Sequence, residues 1–302
     1  VIGVVQTSGI GGQGLKVGNF ADMEAIGFEA AINSKVMEKG KFNWNLNFNV
    51  GYNRDEITRL DFGPRIADAI SQTGAAVLGG PRRGIFSTKF AGLTDQGIPQ
   101  FFDENGERVF SYDLQDRNNL TQTLQFEGPA EPRLFGGLNN VFSYGDFTLS
   151  ALISYKWDYV IRLNDAFFAS YTDFDALPGE LADRWVVPGD EELTDIPVIL
   201  DRGVAQASGE IVQAYDLYNK STIRVANGDY IRLKAVRLSY LLPNTFTERI
   251  GLNNASISVE GQNLALLYAD DALNGQDPEF FRSGGVSLPQ PRQITVSLNI
   301  GL

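Results

Sequence analysis

The chain has 302 residues, a net charge of −12, no cysteine and no histidine. Disulfides, thiolate zinc sites and histidine acid–base chemistry are thereby excluded, and the negative balance opposes nucleic acid, which needs clustered Lys and Arg. With 43% hydrophobic and 21% charged residues the chain is too apolar for wholesale disorder, yet no run of about 18 apolar residues supplies a transmembrane helix.

The length fits one large β domain or two ordinary ones. The sequence opens at Val1 without a charged, then apolar, leader, the pattern expected of a mature or truncated piece of a longer protein. The stretch "GIGGQG" at 9–14 formally matches G-x-G-x-x-G. Residues 15–28 hold Gly18 and Gly27 and lead into a strand instead of a helix, so a flexible loop is the better reading.

Strand signals begin at Ile26, Phe28, Ala30 and Ile32, which alternate with Gly27, Glu29, Ala31 and Asn33. In "KFNWNLNFNVGYN" (41–53) every even position is apolar, while the odd positions carry five asparagines and Gly51. Period 2 predicts a strand with one greasy face and one amide-lined face. Residues 132–144 are a weaker, Gly-containing version, and 147–157 again alternate cleanly from Phe147 to Trp157. Lys39-Gly40 and Tyr144-Gly145-Asp146 carry turn chemistry.

In "YIRLKAVRLSYLLP", Ile231 and Leu233 share one phase while Val236, Leu238 and Tyr240 share the other. One extra residue near Ala235 restores a single apolar face, which predicts a β-bulge, and Pro243 ends the strand. Ile257 and Val259 alternate with serines, and Ile294, Val296, Leu298 and Ile300 alternate to the C-terminus.

Connections come in two sizes. Those at 37–41 and 144–146 are tight and 243–253 is medium, whereas 54–131 and 161–228 are long and 268–290 is moderate. Short and long alternate, as in transmembrane barrels with tight turns at one end. Two architectures offer one apolar and one polar face: a soluble sandwich that buries the apolar face, and a membrane barrel that shows it to lipid. Three features favour the barrel: strands of about 10 residues, enough to cross hydrocarbon when tilted; aromatics at the row ends (Phe42, Trp44, Tyr52, Phe147, Tyr155, Trp157), as in interfacial girdles; and the loop-length asymmetry. The expected fold is all-β, an antiparallel transmembrane barrel segment with long extracellular loops.

"DDALNGQDPEF" (270–280) offers five oxygen-bearing side chains but lacks EF-hand spacing, and reads as a solvated external loop. Glu191 and Glu192 read as a solvated charge run, so no catalytic residue, metal or cofactor is expected and the chain is not read as an enzyme. The 161–228 loop carries Phe167, Phe168, Tyr171, Phe174 and Trp185 among acidic residues. Phe168, Tyr171, Phe174 and Trp185 are candidates for ligand or partner binding. The competing reading, which the loop's length favours, is that its rings hold the loop together.

Several stretches resemble the C-terminal part of SusC/RagA-type TonB-linked outer-membrane proteins of Bacteroidetes. "NGDYIRLKAVRLSYLLP" (227–243) is similar to a recurring late strand of that family. It is followed by "ISVEGQNLALLY" (257–268), "GQDPEF" (275–280) and "LPQPRQITVSLNIGL" (288–302). Upstream, Ala25-Ile26-Gly27-Phe28-Glu29 keeps the Gly and Glu of the family's N-K-G-x-E region and lacks its Asn-Lys. "FAGLTDQGIPQFFDENGE" and "PRLFGGLNNVFSYGDFTLSALISY" also match in order.

The resemblance implies a 22-stranded outer-membrane barrel with an N-terminal plug and TonB box, importing glycan or peptide oligomers with a SusD-like surface lipoprotein. Nothing in residues 1–302 resembles the plug or TonB box. The expectation is therefore the last third of the barrel, dependent on the remainder of that barrel, on lipid, and on TonB through the missing part. The tight turns would be periplasmic and 161–228 would face outside, under the lipoprotein. The family often ends in Phe; this chain ends in Leu302. The alternative is a soluble β-rich surface glycan-binding module.

Overall fold

The computed structural model describes residues 2–6, 15–172, 174, 175, 177–283 and 291–301; the "GIGGQG" stretch and Leu302 lie outside them. Seven strands carry the architecture: β1 (Ala21–Lys39), β2 (Phe42–Leu60), β3 (Leu134–Tyr144), β4 (Phe147–Trp157), β5 (Tyr230–Leu241), β6 (Asn254–Tyr268) and β7 (Gln293–Gly301). Each pairs antiparallel with the next, so one sheet runs from β1 to β7 in chain order. This is an up-and-down meander, and it arises from local hairpins.

Two of those hairpins close with two-residue loops. Lys39 pairs with Phe42 and Tyr144 with Phe147; Gly40 and Gly145, the first residues of each turn, have φ of 60° and 57°. A side chain at either would meet the left-handed penalty, whereas glycine allows the turn that matches strand twist. The two turns touch, Gly145 N donating to Lys41 O at 3.1 Å. The expected bulge is present: Leu152 pairs with Ala235 and Ile153 with Leu233, leaving Lys234 without a partner on β4.

Both long connections have internal structure. In 61–133, Gly84–Thr88 pairs with Leu124–Pro129 and Phe90–Leu93 with Pro99–Phe102. In 158–229, Val160–Arg162 pairs with Val225–Asn227, and a helix α1 (Gly209–Tyr218) is capped by the Ser208 hydroxyl accepting from Ile211 N. The two connections share one core, in which Phe86, Phe101, Leu120, Phe167, Leu181 and Leu217 are buried together. Thr88 Oγ1 also donates to Leu217 O at 3.0 Å across them.

The hydrophobic core therefore lies in the loops and not beneath the sheet. On the sheet's apolar face Ile32, Val296 and Leu298 remain 54%, 67% and 62% exposed, a distribution opposite to that of a sandwich. The first hairpin also outruns the sequence expectation. β1 and β2 have 19 residues each, while β3 begins only opposite Tyr52. Beyond it, Ile57 is fully buried against the 79–80 turn, with Ile57 N donating to Gly80 O at 2.9 Å.

Candidate functional site: a lipid-facing band and a polar inner wall

Pairing register sorts the side chains, because directly opposed residues share a face. One row runs Ile32–Phe48–Leu138–Ile153–Leu233. A second runs Trp44–Phe142–Leu149–Leu238–Val259–Val296. Aromatic rings cluster where these rows end. Toward the tight turns Phe147 stacks on Tyr240 (4.5 Å between centroids) and Trp44 on Phe142 (5.6 Å). Toward the loops Phe28 stacks on Tyr52 (5.8 Å) and Trp157 meets Tyr268 (5.5 Å).

All six aromatics expected at row ends thus share this face. From Phe147 to Trp157 is 11 residues, roughly 33 Å along the strand. At a tilt of about 40° that is roughly 25 Å, the height of a lipid-facing band. Asn140, opposite Leu46 on this same face, has its Oδ1 satisfied by the Trp44 indole at 3.1 Å, as a polar group in hydrocarbon requires.

The opposite face is polar. Asn33–Asn47–Asn139 open one row, which continues through Leu152 and Ala235 to Gln262, and Glu38–Asn43–Ser143–Thr148–Ser239–Ser258–Ser297 form another. A third runs Lys35–Asn45–Val141–Ser150–Arg237–Glu260–Thr295, so the face is polar apart from Val141, Leu152 and Ala235 in these rows. Amides and hydroxyls in this arrangement suit an aqueous lumen.

Near its loop end this wall holds an ionic cluster that fixes the 270–283 segment to the sheet. The Arg232 guanidinium donates to Asp277 Oδ1, and its Nε lies 3.2 Å from Glu279 Oε2 as an ion pair without a hydrogen-bonding angle. The three side chains are only 8%, 12% and 23% exposed. Tyr230 OH donates to Glu279 Oε1 at 2.7 Å, and Lys156 and Lys234 stand 3.5 and 4.0 Å from the same carboxylate. Burial pushes the Glu279 carboxyl up, but the Tyr230 hydroxyl and the Lys234, Lys156 and Arg232 charges together outweigh it and leave it below the ordinary carboxylate range. The "GQDPEF" stretch is therefore a latch, a role its composition did not disclose.

The four candidate aromatics do not form one cluster. Phe168 and Tyr171 meet edge-on at 5.6 Å, and the Tyr171 hydroxyl accepts from Phe168 N and donates to Ala166 O. Phe174 is 98% exposed, whereas Trp185 is only 8% exposed. The Trp185 indole lies on Gly97, where a Cβ would come within 2.6 Å of it, and its Nε1 donates to Glu191 Oε2 at 2.9 Å. Glu191 also accepts from Gly189 N; the Trp185 bond first, then these backbone donors, hold its carboxyl below the usual range. Glu191 is thus a structural acceptor within the run that the sequence presents as solvated. In the 270–280 segment Asp270 accepts from Ala272 N and Asn227 N. Among the described residues no group of three or more acidic side chains is placed to hold a metal ion.

No family model matches the chain. Among curated proteins, TonB-dependent receptor P26 of Formosa agariphila is 26% identical over 93% of the chain and 29% of its own length. TonB-dependent receptor SusC of Bacteroides thetaiotaomicron is 22% identical over 94% of the chain and 27% of its own length. Among solved structures, the RagAB peptide transporter matches with a TM-score of 0.71 at 20% identity, over 98% of the chain and 31% of its own. The RagAB importer in its closed-closed state gives a TM-score of 0.69. The chain spans under a third of the length of the relatives it matches. In sequence over nine-tenths of its length, and in fold over nearly all of it, this all-β antiparallel barrel segment is similar to SusC/RagA-type TonB-dependent receptors.

Proposed function

We propose that the seven strands form part of the wall of an outer-membrane, TonB-dependent nutrient importer, its remaining strands, plug and TonB contact lying outside residues 1–302. The observation that carries this reading is the apolar band between two aromatic girdles, left uncovered while the hydrophobic core is built in the loops. A lipid-facing band of about 25 Å accounts for it; a soluble module would leave that surface in water. The tight turns then lie in the periplasm and the joint loop body outside. The matched relatives are named as receptors, and the matched structures as peptide transporters; the cargo here is read as glycan or peptide oligomers.

A SusD-like lipoprotein is the proposed partner on the loop body. Phe168 and Phe174 are the rings exposed to meet it, with Tyr171 and Trp185 as struts that position the surface. Two measurements test this. Cells carrying the full receptor should take up oligomers too large for passive diffusion, and lose that uptake when the receptor is deleted. Phe174→Asp should reduce co-purification of the lipoprotein. A receptor recovered in the aqueous fraction, with uptake unchanged by its deletion, overturns the import reading.

A further inference from the structure

On the inner wall beside the ionic latch lies a hollow of about 590 Å³ that simple passage of nutrient does not require. Its floor is set by small residues on three adjacent strands, Gly51, Gly137 and Ser154. The Phe135 ring lies over Gly51, where a Cβ would come within 2.8 Å of two ring carbons. Glycine is needed there for the ring to lie down on the wall. Phe135 nevertheless remains 38% exposed, so part of its ring is presented to the lumen.

Two lysines reach this hollow for a topological reason. Lys156 keeps the regular inward phase of β4. Lys234 is the extra residue of the β5 bulge, and a bulge re-aims a side chain that simple alternation would space differently. Two lysines, Lys156 and Lys234, and two glutamates, Glu279 and Glu29 opposite Gly51, line the hollow, so its charges balance. Asp277 and Glu279 take their close bonds from Arg232 and Tyr230. The two lysines, at 3.5 and 4.0 Å from Glu279 and 40% and 41% exposed, keep ammonium donors free.

We propose that this hollow is a binding subsite for an anionic sugar ring of an oligosaccharide, its carboxylate or sulfate held between Lys156 and Lys234 and its ring face on Phe135. The subsite rests on the reading of the amide-lined face as an importer lumen. It sets two cationic donors beside Asn49 and Ser154, which offer only neutral hydrogen bonds.

The test is calorimetric titration of the full receptor, purified in detergent, with tri-galacturonate, a sulfated galactose trimer, neutral trigalactose and tri-glutamate. The acidic sugars should bind more tightly than trigalactose. Their affinity should fall roughly tenfold in Lys156→Gln and in Lys234→Gln, the loss of one charge-assisted contact, and several-fold in Phe135→Leu. Lys156→Arg should retain most of it, and heat-modifiable migration on gels checks that each variant is inserted. A difference between the carboxylate and sulfate trimers identifies which anion the site takes. Equal affinity for neutral and acidic trimers, or lysine variants without effect, in a receptor that still imports nutrient overturns the subsite alone. Tri-glutamate bound as tightly as tri-galacturonate, with Phe135→Leu silent, also overturns it, in favour of a peptide. A receptor that imports nothing overturns the lumen reading and the subsite together.

Discussion

Removing the charge of Arg232 should free the 270–283 segment without unfolding the sheet. In Arg232→Met the apolar stem is kept and the guanidinium lost, leaving Asp277 and Glu279 largely enclosed. Breaking a buried pair by deleting one partner costs about 3–5 kcal/mol. The low end applies, because Glu279 keeps Tyr230 OH at 2.7 Å and Lys156 at 3.5 Å, and Asp277 keeps the Glu279 N–H at 3.0 Å. A loss of about 3 kcal/mol corresponds to a roughly 100-fold rise in local opening. Hydrogen exchange of the full receptor, read by mass spectrometry, should show that rise in peptides spanning 270–283 and none in α1, whose buried Leu217 and Tyr218 belong to the loop core. Unchanged exchange at 270–283, or an equal rise in α1, would refute the latch.

The same latch sets a pH response. Glu279 has its carboxyl held below its ordinary value of 4.5, so its contribution is fully present above that value and is lost as pH falls through the lowered one. Hydrogen exchange at 270–283, corrected for the intrinsic pH dependence of exchange, should rise only once the pH has fallen below 4.5, and a rise already at pH 5–6 would contradict the sign. In the loop body, Trp185→Ala should cost about 3–4 kcal/mol, as for other large buried side chains, and appear as faster limited proteolysis of 180–200. Gly97→Ala should act in the same direction, since Gly97 has φ of 74° and its Cβ would strike the Trp185 indole. On the sheet, Phe48→Arg puts charge between the two girdles and should cost about 2–4 kcal/mol, while Asn47→Arg on the other face should be tolerated; gel migration of the folded receptor compares them.

Period 2 made the sheet legible. Seven strands, both glycine turns and the bulge at Lys234 are visible in the sequence because each leaves a mark on the alternation of apolar residues. The extension of the first hairpin is not, and the reason is physical. In "NRDEITRL" Arg54 and Glu56 take over the phase that Trp44 to Tyr52 keep apolar, because beyond the band both faces of the hairpin meet water or loop. The latch was equally invisible, as Arg232 and Asp277 stand 45 positions apart and no periodicity links them. The sequence offers Trp185 as a candidate contact residue and, on the loop's length, as a ring that holds the loop together; the partner that buries it, Gly97, lies 88 positions upstream, where no local pattern signals it.

The central claim is that the sheet has one face toward lipid and one toward water, and spin labels at neighbouring positions test it most directly. The chain has no cysteine, so Asn47→Cys and Phe48→Cys, made in the full receptor and reconstituted in bilayers, each place one nitroxide within it. The label at 48 should collide with oxygen dissolved in the hydrocarbon and be shielded from a water-soluble nickel chelate; the label at 47 should show the reverse. A label at 48 open to the chelate, with 47 shielded from it, would contradict the assignment of the apolar band to the membrane.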